Sequence, residues 1–134
     1  MLEIKIEQPC GLRMEVVETD DRVPSMRIEA KILIEQFQHT LSYQGLFWIE
    51  CANWSRFTEG LHDPAAKPAV LNDMSDYFSL KVGENPSGKM TLSWEFRKDD
   101  VGGGKHATAA FSAEIDDAML SRIRDEFAEF PAWW

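Results

Sequence analysis

The glycines and lysine of "KDDVGGGKHATAAF" are the first candidates for chemistry, because backbone amides ahead of a lysine can cradle a phosphate. A phosphate loop needs a strand, then G-x-x-x-x-G-K-[ST], then a helix whose N-terminus receives the anion. Here Asp99 stands five positions before Gly104, and His106 follows Lys105. Met90, Leu92, Trp94 and Phe96 alternate with polar residues before the glycines, and Ala107, Ala109, Phe111, Ala113 and Ile115 alternate after them. A strand therefore follows instead of a helix, and "VGGGKH" reads as a hairpin tip.

Other residue types that carry catalysis are equally unpromising. His39, His62 and His106 lie on separate elements without a partner at ligand or triad spacing, and His62-Asp63 reads as a capping turn ahead of Pro64. Ser55, Ser75 and Ser87 lack a nucleophile-elbow context and fit caps and turns. Cys10 and Cys51 form neither a CxxC nor a Cys/His cluster, so reduced thiols are expected and neither a metal site nor a disulfide framework. Asp99-Asp100 and Asp116-Asp117 have local structural explanations. No catalytic residue, cofactor or metal ligand is assigned, and an enzyme using a pair of acids ranks last among the readings.

Two features point to binding. From Glu114 to Trp134, six acids (Glu114, Asp116, Asp117, Asp125, Glu126, Glu129) face two arginines, leaving four excess negative charges. The chain then ends in "FPAWW". Asp117, Asp125, Glu126 and Glu129, with Trp133 and Trp134, are the candidate partner-binding residues, the acids steering and the aromatics anchoring. The plainer readings are a solvated helix face and a tryptophan lid folded back on the core. Trp54 and Trp94 fall in phase with core positions, whereas Trp48 is out of phase with Phe47 and Ile49 and is expected on the opposite side of its sheet.

The elements that must position these residues follow from periodicity. Leu2, Ile4 and Ile6, then Leu12, Met14 and Val16, alternate about a Pro9-Cys10-Gly11 turn and predict a first hairpin. A long strand starts at Met26 and runs through Ile34, with a less regular continuation to Gly45 for which a helix over Ile34 to Tyr43 competes. A strand end at Phe47 to Ile49 precedes a short helix capped by Asn53 and running to about Leu61. Ala69 to Leu71 and Tyr77 to Val82 read as strands, separated by the turn-forming "NDMSD". Last comes a helix capped by Asp116, striped by Met119, Leu120, Ile123, Phe127 and Phe130, and ended by Pro131. The expectation is one α+β domain over residues 1–134, an antiparallel sheet of about eight strands with one short and one longer helix packed on it.

Composition narrows the partner. The chain has 134 residues, 44% of them hydrophobic, and a net charge of −9. A chain of this length and apolar content can bury its own core. Phosphate backbones are bound mainly by lysine and arginine, so the charge argues against nucleic acid and for a basic protein partner. The start "MLEIKIEQPCG" has no signal-peptide pattern, and no segment reaches the length of a membrane helix, so a cytoplasmic location without membrane attachment is expected. A free strand edge would also let two copies pair as a homodimer.

The order of these pieces, "CANWSRFTEGL", "AVLNDMSDYFSLKV", "GKMTLSWEFRKDD", the glycine-rich tip and "ATAAFSAEIDDAMLSRIRDEFAEFP", resembles the WapI-like bacterial immunity proteins and related uncharacterised bacterial domains. Phe57 and Leu61 match that family's first helix, and Ile115-Asp116 matches its passage from final strand to terminal helix. The resemblance covers the chain from about Met26 and places core and cap residues. It implies a cytoplasmic bacterial protein that neutralises a toxin domain, often a nuclease with a basic active surface, by occluding that surface. The "LHDPAAKPAV" connection and the Trp-Trp end depart from the pattern. The competing expectation is a small-molecule or carbohydrate-binding β module that uses Trp48, Trp133 or Trp134 as a stacking platform.

Overall fold

The computed structural model describes residues 2–100 and 102–134. Eight antiparallel strands and two helices make an α+β fold, as the sequence indicates, with the strands divided between two four-stranded sheets. The first sheet has the order β1 (Glu3–Ile6), β2 (Gly11–Asp20), β3 (Ser25–Gln36), β4 (His39–Glu50). The second has the order β5 (Ala69–Asn72), β6 (Phe78–Glu84), β7 (Met90–Asp99), β8 (His106–Glu114). Helix α1 (Cys51–Gly60) joins the sheets and packs on β5, and α2 (Asp117–Ala128) lies along β1.

Alternation decides which side of each strand is dry. In the first sheet Ile6, Leu12, Ile32 and Tyr43 sit in register on the inner face, with Ile4 and Met14 in the adjoining row. Leu80, Val82, Leu92 and Trp94 supply the inner face of the second sheet. The two faces meet through aromatic rings: Phe47 stacks on Phe78 at 4.6 Å between centroids, and Tyr43 tilts against Phe96 at 4.4 Å. Trp54 and Trp94 are buried to 2% exposure, as their phase predicts. Each large apolar side chain buried this way contributes about 1.5–3 kcal/mol, so one shared core holds both sheets and both helices.

The structure departs from the sequence reading at three places. Over Ile34 to Tyr43 the strand reading holds against the competing helix, but the stretch is not one continuous strand: it breaks into the hairpin of β3 and β4, pairing Gln36 with His39 across the two-residue turn Phe37-Gln38. Helix α1 begins at Cys51, and no side chain caps it; Asn53 lies inside its first turn, and its Oδ1 accepts the Asn72 amide at 2.9 Å, tying α1 to β5. Helix α2 stops at Ala128, before Pro131 could end it. Its start is as expected, with the Asp116 carboxylate accepting the Met119 amide at 2.8 Å. The glycine-rich stretch joins β7 to β8 as a hairpin tip, Gly102 and Gly104 taking φ of 75° and 70°; Val101 lies outside the described residues.

Candidate functional site

Helix α2 is amphipathic, and its buried stripe of Ile123 and Phe127 turns the neighbouring positions toward β1 and solvent. Asp125, Glu126 and Glu129, together with Arg122, line a cleft of about 430 Å3. Its opposite wall is β1 and the following turn, contributing Lys5, Ile6, Glu7 and Gln8. Four acids against two cations make the cleft negative. Asp117 stands eight residues before Asp125, about 12 Å along the helix axis, so three of the four candidate acids share the cleft and Asp117 does not.

Glu126 has a second role. β1 is the edge of its sheet, and the outward amide of Lys5 would lack a partner; Glu126 Oε1 accepts it at 2.8 Å. This contact caps a sheet edge that could otherwise recruit another strand. Asp125 and Glu129 are exposed, and none of the four ion pairs among the described residues involves an acid of α2. They are therefore the residues whose charge is directed outward.

The terminal tryptophans lie on the other flank of α2. Trp134 Nε1 donates to Ser55 Oγ of α1 at 2.9 Å, and its ring borders a depression of about 320 Å3 shared with Trp54, Thr58 and Phe130. Trp134 is 37% exposed, while Trp133 is half buried against the core. Their rings stand at 88° to each other, so they present no common flat face on which a sugar could stack. Trp48 is half buried on the solvent face of β4, opposite Arg27, on the side its phase predicted.

Pairing across the tip of β7 and β8 brings together two groups that the linear spacing did not connect. Asp99 sits opposite His106, and Oδ1 lies 2.8 Å from Nδ1. Both are well exposed. His39 and His62 are exposed on other elements. Among the described residues no cluster of three or more His, Cys, Asp or Glu is arranged to hold a metal ion, and no helix is long and apolar enough to cross a membrane.

Asp73, inside the expected turn, is buried because its carboxylate organises that turn, accepting the amides of Tyr77 at 2.7 Å and Phe78 at 2.9 Å. Burial, with a smaller contribution from the Asp73 charge, pushes the Tyr43 phenol up to about 12. Burial likewise raises the Cys51 thiol to about 11, and raises Cys10, so both free cysteines are held as protonated core thiols.

Comparison of the chain with protein-family models, curated proteins and solved structures finds no match.

Proposed function

We propose that this chain is a non-enzymatic, acidic binding domain that neutralises a basic protein partner, and that the partner is a bacterial toxin domain whose active surface it occludes. The observation that carries this reading is the outward, unneutralised charge of Asp125 and Glu129 on the rim of the cleft between α2 and β1. A surface that accepts RNA or DNA is basic, and the acids of α2 stand where the phosphates would. Electrostatic attraction then speeds encounter and fixes orientation. Exposed ion pairs contribute only about 0–1 kcal/mol each, so tight binding needs an apolar anchor, a role Trp134 fills on the other flank of α2.

The reading is tested by surface plasmon resonance against the cognate basic domain. Asp125→Lys with Glu129→Lys slows association about tenfold or more in low salt and barely alters dissociation, while Trp134→Ala speeds dissociation. Unchanged association and unchanged salt dependence in the double variant would remove α2 as the docking face.

A further inference from the structure

Each sheet has two edge strands, and unpaired backbone groups on an edge recruit further strands unless something covers them. Three of the four edges are managed. β1 and β5 are each four residues long and covered, β1 by Glu126 on its Lys5 amide and β5 by α1. β4 gives its Trp48 carbonyl to the Met74 amide at 2.8 Å. β8 has no such defence. It runs nine residues without a proline or a bulge, carries no charge from Ala107 to Ala113, and among the described residues β7 is the only element packed along it.

The ladder fixes which backbone groups of β8 are left over. At one end the Lys105 carbonyl accepts the Asp100 amide at 2.9 Å, and at the other the Ile115 amide donates to the Met90 carbonyl at 2.9 Å. Both pairs continue the unbroken register of β7 with β8, in which a residue bonds across at every second position. The odd-numbered residues between Lys105 and Ile115 therefore bond to β7. The amides and carbonyls of His106, Thr108, Ala110, Ser112 and Glu114 point away from the sheet, and all five residues are exposed.

We propose that β8 pairs antiparallel with β8 of a second copy of this chain, about a two-fold axis through Ala110, joining the second sheets of the two copies edge to edge. In that register the strand is its own complement. His106 lies opposite Glu114 of the second copy, Thr108 opposite Ser112, Ala109 opposite Phe111, and Ala110 opposite Ala110. No acid faces an acid and no base faces a base, hydroxyls meet on the outer face, and Phe111, half-buried beside Trp94, meets an alanine. Each copy carries a net charge of −9, and the uncharged strand lets two copies meet without opposing acids. A single strand edge buries less than the about 1,200–2,000 Å2 of a stable interface, so the dimer forms at concentrations on the order of 100 µM. This edge is separate from the cleft beside α2 and does not depend on what that cleft binds.

Sedimentation equilibrium of the protein alone, from about 10 µM to about 1 mM, tests the proposal and is expected to show monomer giving way to dimer. Amide hydrogen exchange locates the contact: Thr108, Ala110 and Ser112 gain protection as concentration rises, while Ala109 and Phe111, already in the ladder with β7, are protected throughout. Ala110→Lys and Ala110→Glu each set like charges against one another at the axis and weaken the dimer at least about tenfold. An equimolar mixture of the two variants restores it, which also shows that both remain folded. A monomer at about 1 mM, a dimer indifferent to Ala110→Lys, a mixture that stays monomeric, or protection gained at Ser42 and Gln44 of β4 instead would each overturn it.

Discussion

The turn between β3 and β4 is predicted to be less stable than it needs to be. Phe37 and Gln38 both adopt positive φ, 46° and 67°, in a two-residue hairpin connection where asparagine and glycine are the relaxed choice. A side chain with a Cβ costs about 1–2 kcal/mol in the left-handed region, so the pair stores about 2–3 kcal/mol relative to Asn-Gly. Phe37 gains little in return. It is 87% exposed, and on a phenylalanine of about 200 Å2 the covered remainder is about 25 Å2, or about 0.6 kcal/mol of burial. Glycine adds about 0.5–1 kcal/mol of unfolded-state entropy. Phe37→Asn with Gln38→Gly is therefore expected to stabilise the fold by about 1 kcal/mol net. Urea unfolding should show a higher midpoint with an unchanged slope, and Tm should rise by about 3–5 °C. An unchanged or lowered midpoint would mean that the turn carries no strain, or that Phe37 makes contacts its exposure does not reveal.

Other consequences of the structure are as accessible. Glu126→Ala exposes the Lys5 amide at the β1 edge and should cost about 1 kcal/mol by urea unfolding, whereas Glu126→Gln keeps an acceptor oxygen there and should cost less than half of that. Above neutral pH, the Tyr43 phenol, at about 12 folded against about 10 in an unfolded chain, keeps its proton longer in the folded state. Stability from this group is thus fully present below pH 10 and is lost as pH rises from about 10 to 12, which pH-dependent urea midpoints of the protein and its Tyr43→Phe variant would show.

Helix α2 was readable because its signals are local: Asp116 at the N-cap, an acid in the first turn and a 3.6-residue stripe all agree. The hairpin tip at Gly102 to Gly104 was readable for the same reason, since alternation on both sides and the glycines name one structure. Phe37-Gln38 carries no turn signature, and positive φ at these residues is imposed by the pairing of the long strands that flank them. Asn53 looked like a cap because its neighbours have helical spacing, but β4 passes straight into α1 and the side chain is used on β5 instead. The division into two sheets depends on which strands find each other, and alternation alone does not specify that.

Candidate sites were legible only as charge. The acids of α2 stand out in the linear chain, but Glu126 meets the Lys5 amide from 121 residues away, a contact with no local trace. The pairing of Asp99 with His106 is likewise a product of register. Between the terminal tryptophans the sequence offered a lid and an anchor; Trp133 packs on the core and Trp134 keeps one face in solvent.

The most direct measurement is co-expression of this chain with the C-terminal domain of the protein that its upstream neighbouring gene encodes, scoring growth and a complex on gel filtration in low and high salt. Toxicity from the neighbour alone, rescue by this chain, and a complex weakened both by salt and by Asp125→Lys with Glu129→Lys are expected. A neighbour without toxicity, or toxicity with neither rescue nor complex, would contradict the proposed neutralisation.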